Sequence, residues 1–126
     1  MKPTIKRASA RPAEFYIPER CFVTEWLGAA DDPALSVARA RVEPGVTTAW
    51  HKLEGVAERY VIVSGSGRVE VGEEPPAVVG PGDVAIIPAG VRQRITNTGE
   101  EDLVFDCLCT PAFTMECYVD LEPDGV

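Results

Sequence analysis

Four residues in this chain could do chemistry together: His51, Glu58, Gln93 and Cys107. His51 is the only histidine, and imidazole is both a general base and a good ligand for first-row transition metals. Glu58 stands in an otherwise apolar run, where an unpaired carboxylate costs several kcal/mol unless it meets a cation, a metal or a proton. A Gln93 amide oxygen is a neutral, hard and weaker metal donor, and the same amide can orient a ligand carbonyl or hydroxyl without any metal. Cys107 could add a strong thiolate ligand or a second catalytic group, since metal binding itself depresses a thiol pKa. His51, Glu58 and Cys107 also have plain structural roles: a hydrogen-bonded core histidine, a salt bridge at the mouth of a fold, and a small buried hydrophobe.

The elements that must position these residues are strands. Residues 59–71 form two runs rich in Val, Ile and Tyr, broken by Ser64-Gly65-Ser66-Gly67, which reads as an antiparallel hairpin. Val84-Ala85-Ile86-Ile87-Pro88 is a short apolar strand, entered through Gly80-Pro81-Gly82-Asp83 and left through Pro88-Ala89-Gly90. Another hairpin is expected to join residues 93–96 to 103–109 through Asn97-Thr98-Gly99-Glu100. Alternation then sorts the faces. With His51 facing inward, Ala49 and Leu53 follow it; Glu58 shares a face with Tyr60 and Ile62, Gln93 with Ile95, and Cys107 with Leu103, Phe105 and Cys109. The result is an apolar interior with a small polar focus, the usual look of a small-molecule site. Arg59, Arg92 and Arg94 belong outside. In residues 36–42 the alternation of small residues with Arg39 and Arg41 also places both arginines outward, the other outcome being an inward pair that binds a carboxylate substrate.

The spacing Gly45-x5-His51-x-Leu53-x4-Glu58-x6-Gly65, followed by Gly82-x5-Pro88-x-Gly90-x2-Gln93-x3-Asn97, resembles the cupin family. That family's two blocks read Gly-x5-His-x-His-x(3,4)-Glu-x6-Gly and Gly-x5-Pro-x-Gly-x2-His-x3-Asn. The resemblance implies an all-β cupin double-stranded β-helix, a jelly-roll barrel, with residues 31–126 as the barrel. Residues 1–30 are then an N-terminal arm and strand, either exchanged in a homodimer or an edge strand of their own chain. It also implies one divalent transition metal (Fe, Mn, Ni, Zn or Cu) at His51, Glu58 and Gln93, although Leu53 and Gln93 stand where two family histidines would be. Glu58 and Cys107 are the candidate catalytic groups.

Three functions are open to such a site. One is a metal-dependent oxygenase, isomerase or lyase on a small organic substrate. Another is a metal-free barrel that binds or senses a small ligand. The last is a metal-free isomerase or epimerase with His51 as base, oriented by Glu58 or Asp106. One histidine with scattered serines supports no hydrolase triad. Gly65-x-Gly67 joins two strands rather than a strand and a helix, so it is no dinucleotide fingerprint.

Composition narrows the partners. Twelve Lys and Arg against twenty Asp and Glu leave a net charge of −8, which repels nucleic acid and anionic membranes. Basic residues gather at Lys2, Lys6, Arg7 and Arg11, and acids at Glu116, Asp120, Glu122 and Asp124, read as two solvated tails. Eleven Pro and eleven Gly suit an all-β chain with many corners. No apolar run is long enough to span a bilayer or to serve as a signal peptide, so a cytoplasmic protein is expected, with its four cysteines reduced.

Overall fold

The computed structural model describes residues 2–122. Asp124 of the acidic tail lies outside the described residues. The chain forms eleven strands: β1 (Phe15–Ile17), β2 (Cys21–Leu27), β3 (Ser36–Val42), β4 (His51–Leu53), β5 (Ala57–Ser64), β6 (Gly67–Val71), β7 (Ala77–Val79), β8 (Val84–Ile87), β9 (Gln93–Asn97), β10 (Leu103–Thr110) and β11 (Tyr118–Asp120). They make a six-stranded sheet ordered β1-β2-β3-β10-β5-β8 and a five-stranded sheet ordered β11-β4-β9-β6-β7, antiparallel throughout. This is the expected all-β double-stranded β-helix. The short helical turns lie at Ala8–Ala10 and Met115–Cys117, and β2 pairs with β3 of its own chain. No helix among the described residues is long and apolar enough to cross a membrane.

Both expected hairpins are something else. β5 lies in the six-stranded sheet and β6 in the five-stranded one, and β9 and β10 are divided in the same way. Turns 64–67 and 98–102 therefore carry the chain from one sheet to the other. They also pack together: Thr98 N–H donates to the Ser66 carbonyl at 3.1 Å. Gly65 holds φ +87°, and a Cβ there would sit 2.7 Å from the Asp102 carbonyl oxygen, so only glycine fits. The strands and turns are as the residues suggest, but turn chemistry reports a chain reversal and not which sheet receives the next strand.

Alternation does the inward sorting. β9 alternates buried Gln93, Ile95 and Asn97 with half-buried Arg94 and Thr96. Val42, Ile62, Ile87, Ile95, Leu103 and Phe105 form the centre of the main core. Asn97 closes it at one end: Nδ2 donates to the Val42 and Glu101 carbonyls, both at 2.8 Å, and Oδ1 accepts from Gly99 N–H at 2.9 Å. Asn97→Ala strands two carbonyls and an amide in or near the core and is expected to cost about 2 kcal/mol, read by urea denaturation.

Arg39 and Arg41 face outward as expected. Arg39 makes a bidentate pair with Asp106 at 2.8 and 3.1 Å and stacks on Trp26; Arg41 pairs with Glu14 and Asp102. Asp106 is thereby committed on the outer face and is not the orienting partner of His51. The tails are not simply solvated either: Lys6 pairs with Asp31, and Glu122 with Arg20.

Candidate functional site

The two sheets enclose a cavity of about 620 Å³. One wall is the hairpin β1–β2, another is the inward face of β3, and β4, β5 and β10 supply the polar focus. Ser36, Ala38 and Ala40 line it from β3, small side chains whose turn inward is the counterpart of the outward arginines. Loops 28–30 and 113–115 complete the lining, with Phe113 held by its N–H donating to Ser36 Oγ at 2.9 Å.

His51 is 2% exposed and Glu58 8% exposed, and both line the cavity. The Nδ1 of His51 lies 2.8 Å from the Ala49 carbonyl. A carbonyl only accepts, so Nδ1 carries a proton, and in the neutral form of the ring the lone pair lies on Nε2. That atom faces Glu19 Oε1 at 3.6 Å. The ring is held flat against Tyr118, with centroids 5.1 Å apart.

Glu19 is the site residue that sequence reasoning missed. It sits in the turn between β1 and β2, in no motif, and its side chain is 15% exposed. Two contacts aim it. Ala49 N–H donates to the Glu19 carbonyl at 3.0 Å, so Ala49 fastens both Glu19 and His51. Arg20, the one described non-glycine residue with positive φ (72°), turns its guanidinium away to the Thr47 carbonyl and to both oxygens of Glu122, at 2.9, 3.0 and 3.0 Å. The only hint in the sequence is an acidic residue beside a proline at a chain reversal.

The two carboxyls share one environment. Burial raises the Glu58 pKa to about 7, the charge on Glu19 adds to the rise, and His51, the Cys109 thiol and the Gln93 amide oppose it. Burial likewise raises Glu19, against His51, Cys21 and Tyr118. Cys109 Sγ lies 3.4 Å from Glu58 Oε2. Cys107 lines the same cavity, but burial and then the Glu58 charge push its thiol far up, so it stays a neutral thiol. Among the described residues, all four cysteines are free.

Gln93 lies behind this front rank. It is 1% exposed, opposite His51 in the β4–β9 pairing, and is not part of the cavity lining. Tyr60 donates its hydroxyl to Gln93 Oε1. The Gln93 amide is near enough to favour the charged form of Glu58, yet Nε2 completes no hydrogen bond. Leu53 is 3% exposed and packs with Val56, Cys109 and Cys117.

A cupin-domain family matches residues 38–111, more than half of the chain. The chain belongs to the cupin domain family. This cupin is 38% identical over 69 residues to an oxalate-binding protein of Thermotoga maritima, an alignment covering 54% of this chain and 55% of that one. The chain thus spans about half the length of the curated relative it matches. A predicted oxalate decarboxylase from Thermotoga maritima superposes with a TM-score of 0.72 at 26% identity, over 86% of this chain and 99% of that one. Pac13, a nucleoside dehydratase, superposes with a TM-score of 0.78 at 18% identity, over 96% and 92%; the Streptomyces protein has also been solved with uridine.

The side chains of this cupin do not fit a resident transition metal. Leu53 fills one histidine position with apolar packing. Gln93 fills another with an amide whose oxygen is taken by Tyr60 and whose free atom is an N–H, a donor that repels a cation. Among the described residues, no three His, Cys, Asp or Glu side chains converge as metal ligands would.

Proposed function

We propose that this cupin is a metal-independent acid–base enzyme, a lyase or isomerase that moves a proton on a small organic molecule held in the barrel. The observation that carries the reading is one imidazole in the cavity lining whose Nδ1 is tied to the Ala49 carbonyl, which makes Nε2 its basic atom, together with a carboxyl in the same lining whose pKa is raised to about 7. A base and an acid poised near the working pH, in a cavity with mainly apolar walls, are what proton-transfer catalysis asks for.

In an elimination, His51 Nε2 takes a proton from carbon. The C–H electrons form the new double bond, and the leaving hydroxyl departs as water with the Glu58 proton. Glu19, 3.6 Å from Nε2, stabilises the imidazolium that forms. Passing the proton from His51 to Glu58 resets the site. An isomerisation uses the same pair, with the proton returned to a different atom. Tyr60 and Gln93 act as positioning residues behind Glu58. Pac13 supports the reading by its fold: a dehydration is housed in a barrel of this shape. The oxalate named for the Thermotoga relative is not carried over, because the cavity lining among the described residues contains no lysine or arginine.

The test is proton NMR in D2O on a panel of small hydroxylated carbonyl compounds and nucleosides, with the protein before and after chelation. The expected result is deuterium incorporation or loss of water on at least one compound, unchanged by chelation. Turnover that disappears on chelation and returns with iron, manganese, nickel, zinc or copper would overturn the metal-independent reading. Binding with no exchange or elimination across the panel would favour a binding barrel.

A further inference from the structure

The charges around the cavity are all of one sign. Glu19, Glu25 and Glu58 contribute to the lining, and among the described residues no lysine or arginine does. The two arginines adjacent in sequence to these acids are both turned away, Arg20 to Glu122 and the Thr47 carbonyl and Arg59 to the Thr110 hydroxyl. Arg39 and Arg41, on the strand that forms one wall, are paired on the outside with Asp106, Glu14 and Asp102. Among the described residues no lysine or arginine is thus left to neutralise an anion that enters, and His51, the one basic side chain in the lining, already faces Glu19 at 3.6 Å.

The carboxyls and the imidazole on offer act as acceptors, beside neutral hydroxyls of Ser36, Thr114 and Tyr118, of which Tyr118 is already hydrogen-bonded to Glu19. Glu19 presents carboxylate oxygens, as does Glu58 at pH 8, above its pKa of about 7, and His51 presents Nε2 with a proton on the other nitrogen. The hydroxyl of Tyr60 is not free to donate to a guest, because it already donates to Gln93. Acceptors call for a guest that brings its own hydrogen-bond donors. The rest of the lining, including Ile17, Val23, Leu27 and Phe105, calls for an apolar body.

We propose that the cavity selects an uncharged or positively charged molecule with an apolar body and a hydroxyl or amine head, and rejects carboxylates and phosphates. This deepens the acid–base reading, on which it rests for the location of the site, and names the charge class of its substrate. An unpaired anion beside two buried carboxylates should lose at least about tenfold in affinity to a neutral molecule of equal size.

Three probes of nearly equal size and different charge test it: benzylamine, benzyl alcohol and benzoate, titrated at pH 8 into the full chain and followed by backbone amide shifts. The Ala49 amide, which is fastened to Glu19, reports entry. Benzylamine and benzyl alcohol should shift it, with benzoate at least about tenfold weaker. The double variant Glu19→Gln with Glu58→Gln should bring benzoate close to benzyl alcohol. Benzoate binding as well as benzyl alcohol to the wild type, an unchanged ranking in the double variant, or no entry by any of the three at millimolar concentration would each overturn the proposal. Single Glu58→Gln and Glu19→Gln variants serve if the double variant does not fold, since each should shrink the discrimination. A charge ranking without turnover on the D2O panel would leave this inference standing and sink the acid–base reading; turnover confined to carboxylate substrates would do the reverse.

Discussion

Glutamine at position 58 should make the protein more stable than the wild type at pH 8, by about 3 kcal/mol, and bring the two close together near pH 4.5. The Glu58 carboxyl has a pKa of about 7 in the folded chain and 4.5 as an ordinary glutamate. The folded state therefore binds this proton more tightly than the unfolded state. Its contribution to stability is full below the unfolded value of 4.5 and is lost as pH rises through about 7. An amide has no proton to lose, so Glu58→Gln is spared that decline. Urea denaturation of both proteins from pH 4.5 to 8 measures the difference, and at pH 8 the gain corresponds to roughly 10 °C in Tm. Glu19 has the same sign of shift, so both proteins keep a shared downward slope with rising pH. Parallel profiles with no added separation at pH 8 would mean that Glu58 is ionised and well partnered throughout, which would also remove it as the acid.

The second large effect belongs to His51. Asparagine at this position can keep a donor near where Nδ1 meets the Ala49 carbonyl, while deleting Nε2. On any substrate found in the D2O panel, His51→Asn should lower kcat by about a thousandfold, within the range for loss of a general base, with a much smaller change in KM and a nearly unchanged Tm. Wild-type turnover should also fall above about pH 7, as Glu58 loses the proton it must donate. A variant that loses binding and turnover together would make His51 part of the ligand clamp rather than the base.

Much of this was legible in the sequence, for reasons that can be stated. Strand alternation from His51, Glu58 and Cys107 correctly predicted that their side chains turn to one interior, because a one-residue slip would bury Arg39, Arg59 and Arg94. The family spacing extended this to the whole barrel. Two features escaped. The turns at Gly65 and Asn97 read as hairpins, since glycine and asparagine signal reversal equally well within a sheet and between sheets. Glu19 escaped because its place in the site is set by contacts far along the chain: its carbonyl to Ala49, and its neighbour Arg20 to Glu122. Gln93 shows the converse, a motif position that holds its place in the pairing with His51 but works from behind the cavity wall.

The clamp between Arg20 and Glu122 joins residues 102 positions apart, and Glu122 also accepts the Trp50 N–H next to His51 at 2.9 Å. The β1–β2 turn and the segment after β11 are thereby tied into one buckle beside His51 and Glu19. Such a closure spans a long loop, and its ordering cost is high unless the strands between are already in register. On the acid–base reading proposed above, release of Glu122 from Arg20 would loosen the aim of Glu19 while the strands of the barrel stay paired.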